Sequence, residues 1–553
     1  MIKIKLMVNG ELLKKLEYSS PVTIKQITEE QNLAELNILA CKVSFHYKHQ
    51  NYLIESDCNL NCLTVAGLAG LSIYQDTLIF IMMKAFSNLY NYNPDLVVEH
   101  SIGDAVYCEF FKETETKEEV AVKLTEEMRR ICEADLPIER LEIPIQEAIN
   151  IFGKQKREDV IYNLKTYKNP KIGIYKCGEY YDYYIRQLAE STGYASVFEV
   201  KPYNGGILLR FPLRKSGKLS PEFKISKKLF DTNQEYDKWL NIMKLHNVST
   251  LNQYGETKEI QEIILMEESL QEKKIAGLAD KILNNKECKL ILIAGPSSSG
   301  KTTFAKRLSI QLRINNFDTI ILGMDDFFLP RTETPRKANG EFDFESIKSM
   351  DLEYLNSALT EILSGKRVQL PKYDFKSGTQ QLSNEFVEMK NNSVVIMEGI
   401  HGINDALTPA IPAENKIKIY VSPLNQLNID YHNRIPTTDC RKIRRIVRDF
   451  QYRGYSAEET LERWESIREG EEQNIFPFQE NADFMFNSCL TYELGVLKKY
   501  AVPILQKVPT FSSSYVESRR LISLLEHFSD IPDNCVPFNS ILREFTSDSA
   551  FDY

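Results

Sequence analysis

In the stretch ILIAGPSSSGKTTFAKRL, four residues separate Gly295 from Gly300, Lys301 and Thr302. Glycines at that spacing let backbone N–H groups turn inward around a chain of phosphates, while the lysine bridges them and the threonine hydroxyl reaches Mg²⁺. Gly295, Ser297, Ser298, Ser299, Gly300, Lys301, Thr302 and Thr303 are therefore expected to cradle ATP. So short a pattern also arises by chance in long chains. Here an apolar strand precedes it and an amphipathic helix follows, which is the context an anion site needs. Further along, TIILGMDDFFLPR ends a strand on Asp325 and Asp326, where one carboxylate can face the mouth of a parallel sheet and take a proton from a hydroxyl. SVVIMEGIHGI ends another strand on Glu398, a fitting acid to hold Mg²⁺ together with Thr302. His401, after a glycine turn, reads as a local hydrogen-bonding residue.

The segment RIPTTDCRKIRRIVRDFQYR holds seven Lys or Arg against two Asp between residues 434 and 453. Arg441, Arg444, Arg445 and Arg448 recur at helical spacing, so they are expected to point one way into a phosphate-rich cleft, as a lid that neutralises charge in transfer. The elements that must position these groups are short buried strands of the parallel type: KLILIAG, TIILGMDD, SVVIMEGI and KIKIYVSP, separated by helices. The preceding half looks different. MIKIKLMVNGELL alternates and turns at Asn9-Gly10 as a hairpin, TIKQITEEQNL is helical, and TLIFIMM reads as a closing strand. A helical, acid-rich stretch (KEEVAVKLTEEMRRICEADLPIERLEIPIQEAINIF) and a tyrosine-rich β stretch follow, then a polar connecting helix.

The expected fold class is multidomain α/β and α+β. Its divisions are a small α+β unit over 1–88, a second α+β unit over 89–240, a helical connector over 241–284, a mostly parallel sheet flanked by helices over 285–500, and a helical extension over 501–553. With 553 residues there is length for several cores. A net charge of −9 argues against a generally basic nucleic-acid binder, and ten scattered cysteines suit reduced thiols. No signal segment or membrane span is read, so the expected location is cytoplasmic, with no membrane partner.

Taken in order, GPSSSGKTT, MDDFF, EFDFES, GKRVQLPKYDF, VVIMEGI and RKIRRIVRDFQYRG resemble the uridine kinase and phosphoribulokinase family of P-loop kinases, over about residues 285–500. The resemblance implies Asp325 as general base, Glu398 as the acid near the metal, and Lys301 and Arg445 as stabilisers of transfer. It also places Tyr373 and Phe375 on the floor of a nucleoside pocket, Glu345 on ribose hydroxyls, and Arg444, Arg445, Arg448 and Arg453 in the lid. Substrate contacts would be Asp325, Glu345, Tyr373, Phe375 and Arg444, with Arg448 and Arg453 on ATP. Two positions depart from the family: Gly378 stands where uridine kinases place a histidine that reads the pyrimidine, and Tyr455 replaces the second arginine of the lid's Arg-Gly-Arg.

The first 240 residues resemble the N-terminal ubiquitin-like (TGS) domain of threonyl-tRNA synthetase and its second additional, editing-type domain, through VNGELL, SIYQDTLIFIMMKAF, VVEHSIGDAVY, IYKCGEYYDYY and STGYASVFEV. The synthetase builds its editing pocket from two histidines four apart and a Cys and His four apart. Here His100 is followed by Asp104, and Cys177 by Tyr181. A phenol that titrates near 10 is a poor ligand at neutral pH, so an inactive pocket is expected.

The expected activity is ATP- and Mg²⁺-dependent phosphorylation of a nucleoside 5′-hydroxyl, of uridine or cytidine by resemblance. Two alternatives stay open: a purine nucleoside or another hydroxylated metabolite as acceptor, and a tRNA- or ribosome-associated regulator that uses ATP as a switch. For the regulator, residues 201–228 hold eight Lys or Arg and one acid. A homo-oligomer is compatible with either.

Overall fold

The computed structural model describes residues 1–91, 96–110, 115–255, 257–337, 340, 342–374 and 377–553. The chain opens with the expected hairpin, Ile2–Val8 against Glu11–Tyr18, closed by left-handed Asn9 and Gly10 at φ 49° and 90°. A two-residue loop of that hand matches the twist of the paired strands. These strands join Cys58–Leu63, Ala40–Val43 and His46–Lys48 in a mixed five-stranded sheet. The short helix Ile24–Glu30 buries Ile24 and Ile27 in its core.

TLIFIMM is not a strand. It lies inside a helix of 23 residues, Leu68–Tyr90, in which residues 77 to 87 are all buried. A seven-residue apolar run cannot separate a buried strand from a helix buried all round, and only the length of the element decides. Among the described residues no helix is long and apolar enough to cross a membrane. The helix and its neighbour Lys117–Glu133 cover one face of an antiparallel sheet ordered 199–203, 206–210, 105–110, 96–102. The acid-rich stretch read as helical throughout also contains the strand Glu139–Pro144, paired with Lys171–Cys177.

The C-terminal half is built on a five-stranded parallel sheet: Asp318–Gly323, Ser393–Glu398, Leu290–Ala294, Lys416–Ser422 and Phe484–Asn487, in that spatial order. All four expected strands are present, and the four-residue edge strand Phe484–Asn487 is added to them. Leu290 and Leu292 enter one core while Ile291 and Ile293 enter the other, so the sheet is covered on both faces. The helix Glu259–Asn284 packs on the loop helix Lys301–Ile314, where Arg307 pairs with Glu268 and Glu272.

The two halves are joined by buried polar contacts. The Val98 N–H donates to the Tyr431 carbonyl at 2.8 Å, and Asn428 Nδ2 donates to the Val98 carbonyl at 2.8 Å. Arg157, 4% exposed, meets Asp159, Asp182 and Asp430 at 2.9, 3.2 and 3.1 Å, and His432 Nδ1 lies 2.6 Å from Asp182.

Candidate active site

The central strand Leu290–Ala294 delivers the glycine loop to the carboxyl edge of the sheet. A Cβ on Gly295 would lie 2.0 Å from the Val421 carbonyl, so no other residue fits there. Ser298 and Gly300 take left-handed φ of 60° and 83°, which curls the loop around its own N–H groups. Lys301 Nζ folds back onto the Gly295 and Pro296 carbonyls at 3.0 and 3.3 Å. Burial lowers its pKa, opposed by Glu398. The hydroxyls of Ser298 and Ser299 are buried with no hydrogen-bond partner, a fit for added phosphate oxygens.

The two adjacent acids separate. Asp326 turns away from the loop: its Oδ1 accepts from the Tyr373 N–H at 3.4 Å and lies 4.0 Å from Lys372 Nζ. Asp325 stands exposed on the turn Met324–Phe327 at the end of its strand. Its carboxylate reaches solvent, yet the protein around it desolvates it and raises its pKa, with Lys301, Arg453 and Arg448 pulling down and Asp326 pushing up. Across the cleft the Thr302 hydroxyl donates to Glu398 Oε1 at 2.9 Å. Burial raises the Glu398 pKa against Lys301. An alcohol and a carboxylate oxygen are hard donors of the kind Mg²⁺ takes, so this pair fits that ion.

The arginines do not share one direction. The helix Thr437–Arg448 is part of the core through Cys440, Ile443, Ile446 and Val447. Arg441 is buried behind the loop, where Nε donates to the Ser297 carbonyl at 2.9 Å and the guanidinium pairs with Glu471. Glu471 in turn accepts from the Ser297 N–H at 3.1 Å. Arg444, expected on substrate, is 0% exposed. It pairs with Glu493 at 2.5 Å and donates to the Ser488 and Ser298 carbonyls at 2.8 and 3.4 Å. The helix turns it under the loop, so it braces the loop's backbone. The later arginines face the cleft: Arg445 Nη1 donates to Ser297 Oγ at 2.5 Å, and Asp449 holds both Arg445 and Arg453, at 3.0 and 3.2 Å. Here the helix widens into a π-turn over Asp449–Arg453, ending at left-handed Gly454.

Glu345 packs against Gly470, where a Cβ would come within 2.5 Å of the glutamate's own Cβ. Burial and Glu471 raise its pKa to about 7, opposed by Arg445. Tyr373 is buried against Phe328 with ring centroids 5.7 Å apart, and Phe375 lies outside the described residues. Gly378 sits at φ 71° with the Arg331 side chain in the space a Cβ would need, 2.8 Å from Nε.

Reading the sequence missed Glu471, Asp449 and Glu493. Asp449 had a signal, since it stands four residues from both Arg445 and Arg453. Glu471 and Glu493 act across the fold and carry no local mark.

The editing-type positions do not converge. His100, 5% exposed, lies between the rings of Tyr107 and Phe230, at 5.3 and 5.6 Å between centroids, and burial drops its pKa to about 3. Asp104 pairs with Arg210 at 3.1 Å, and Cys177 is buried in a different core. Among the described residues no group of three or more His, Cys, Asp or Glu is placed to hold a metal. The basic stretch 201–228 is largely tied down: Lys201 and Arg210 to Glu199, Arg214 to Glu472, Lys227 to Asp231, and Lys228 to the Glu480 and Ala482 carbonyls.

Residues 290–494 match the Phosphoribulokinase / Uridine kinase family. This segment is a domain of that family of phosphotransferases. The kinase-family domain is similar to the uridine kinase of Ureaplasma parvum serovar 3, 27% identical over 202 residues, which are 36% of this chain and 88% of that protein. It is also similar to uridine-cytidine kinase B of Dictyostelium discoideum, 27% identical over 195 residues, 35% of this chain and 72% of the other. The region before the kinase-family domain matches a threonine–tRNA ligase of Acetivibrio thermocellus. That match is 31% identical over 196 residues, 34% of this chain and 30% of the ligase.

Proposed function

We propose that the kinase-family domain transfers the γ-phosphoryl group of ATP to the 5′-hydroxyl of a nucleoside. The observation that carries this is the placement of Asp325 at a strand end, within the field of Lys301 and beside the Thr302–Glu398 pair. Asp325 takes the hydroxyl proton, the freed oxygen forms its bond to the γ-phosphorus, and the bond to the bridging oxygen breaks, leaving ADP with the electron pair. Lys301, Arg445 and Arg453 place cations around the oxygens that gain charge, and Arg448 extends them along the donor. Thr302 and Glu398 would hold Mg²⁺, which supplies charge neutralisation on the phosphates. Gly295 and Ser297 to Thr303 line the phosphate chain, with Arg444 and Glu471 fixing the loop's shape from behind.

For the acceptor, Glu345 is the residue to grip ribose hydroxyls, and Tyr373 belongs to the wall around the base. Uridine and cytidine are the first candidates. With Gly378 and Arg331 where a pyrimidine-reading histidine would stand, a purine nucleoside or another hydroxylated metabolite is the alternative acceptor. A panel of nucleosides and sugars with ATP and Mg²⁺, read as ADP release, tests this. No responsive acceptor would overturn it.

Glu345 gives the proposal a pH signature. Above its pKa of about 7 the group is a carboxylate that accepts hydrogen bonds, and below it the group is neutral. The KM for the nucleoside should fall about tenfold as pH rises from about 6 to about 8. Steady-state KM measured across that range for Glu345→Gln should be flat, and an equal slope in the variant would remove Glu345 from the acceptor site.

The divisions 1–88, 89–240, 241–284, 285–500 and 501–553 are proposed as inherited units, not separately packed bodies. The helix Glu493–Gln506 runs across residue 500, and Leu521, Leu525 and Ile541 share a core with the parallel sheet.

A further inference from the structure

The chain's last residues return to the phosphate loop. Ile541–Glu544 form one 3₁₀ turn after which Phe545 packs near the Arg444 and Arg448 guanidiniums, at 5.0 and 6.0 Å. Ile541 lies over the loop itself, so that a Cβ on Gly300 would come within 2.5 Å of Ile541 Cγ2. The next residue in the turn that faces the site is Glu544. Its Oε2 accepts from the Thr303 N–H at 3.2 Å and from Thr303 Oγ1 at 2.7 Å, and its Oε1 lies 3.5 Å from Arg448 Nη1.

Those donors are the ones a nucleotide needs. The helix Lys301–Ile314 leaves its first N–H groups without intrahelical partners, and phosphate oxygens bind at such an end. A carboxylate already there carries the same charge as a phosphate and uses the same hydrogens. The contact is reinforced from further out. The Tyr553 hydroxyl is 2.8 Å from Thr303 Oγ1 and accepts from Ser549 Oγ at 3.1 Å, and Lys306 Nζ donates to the Asp552 carbonyl. Tyr452 OH donates to the Thr546 carbonyl at 2.7 Å. The anchoring is uneven: Ile541, Leu542 and Phe545 are fully buried, whereas Ser547, Asp548, Ala550, Asp552 and Tyr553 are exposed. The segment therefore has a fixed root and a tip held by a few polar contacts.

We infer that the C-terminal segment is an autoinhibitory strap in which Glu544 occupies phosphate-binding donors of the loop helix, so that nucleotide and strap compete for Thr303 and Arg448. This rests on the proposed nucleotide site. Binding of ATP withdraws Thr303 and Arg448 from Glu544, and the tip from Tyr553 back to Ser547 loses its footing. An acidic side chain as local helix cap would predict the opposite effect on removal, because losing it would weaken the loop helix and with it the site.

The test is ATP affinity by titration calorimetry on the full chain, for the wild type, Glu544→Gln and Tyr553→Phe. Neutralising Glu544 should tighten ATP about tenfold, the worth of a hydrogen bond to a charged group. Tyr553→Phe, which leaves the buried root untouched, should tighten it about twofold to threefold. Saturating ATP should also speed amide hydrogen exchange over residues 547–553 of the wild type. Unchanged or weaker ATP binding in both variants, with exchange over residues 547–553 unaffected or slowed, would overturn the strap and leave the nucleotide site standing. Absence of ATP binding in all three proteins would instead bring down the nucleotide site, and the strap with it.

Discussion

Replacing Asp325 with asparagine is expected to cut phosphoryl transfer about a thousandfold while leaving ATP affinity nearly unchanged. Asparagine keeps the size and the hydrogen-bonding edge but cannot take a proton. The carboxylate stands on the short turn Met324–Phe327 that follows the strand Asp318–Gly323, so the substitution leaves the sheet and the glycine loop alone. The charge around it explains its suitability. Desolvation by the surrounding protein and Asp326 raise its pKa, which strengthens it as a base, and Lys301, Arg453 and Arg448 pull the other way. The loss should appear in kcat, measured with saturating ATP and acceptor, with ATP affinity followed by calorimetry. Turnover within about tenfold of the wild type would remove Asp325 as the base.

Arg157→Met should destabilise the whole chain by about 3–5 kcal/mol, measured by urea unfolding at neutral pH. Asp159 and Asp182 come from the synthetase-like half and Asp430 from the kinase-family domain, and all three are buried on one guanidinium. Burial alone would raise the Asp182 pKa, but His432 and Arg157 outweigh it and hold it at about 2. Burial and the neighbouring acids already push Asp430 up to about 6 against the pull of Arg157. Without the arginine, carboxyls whose pKa values are raised in the folded state favour folding most where they are protonated. The deficit of the variant should therefore shrink as pH falls from about 7 to about 5. Because the network spans both halves, the wild type should unfold in one transition. Two independent transitions would contradict the joint.

What could be read in the residues alone is local chemistry on regular elements. The glycine loop, Asp325 and Glu398 each lie within a few residues of a strand of the parallel sheet, so one short window holds both the group and what aims it. The same holds for the Asn9-Gly10 turn. TLIFIMM failed because its helix is buried on every side and has no periodic contrast, and KEEVAVKL…EAINIF hid a strand inside acidic residues. Arg444 failed for a different reason: helical spacing fixes which residues share a face, but Glu493 and Ser488, remote in sequence, decide that this face braces the loop. Glu471 on the loop's backbone and Glu544 on Thr303 likewise join residues 174 and 241 positions apart, a distance no pattern in the sequence spans.

The central claim is transfer of a phosphoryl group to a nucleoside hydroxyl, and product identity tests it most directly. Purified protein with ATP, Mg²⁺ and a nucleoside should yield the nucleoside 5′-monophosphate and ADP in equal amounts by mass spectrometry and phosphorus NMR, with no product from the 5′-deoxynucleoside. ATP converted to ADP and free phosphate, with every nucleoside recovered unmodified, would contradict it.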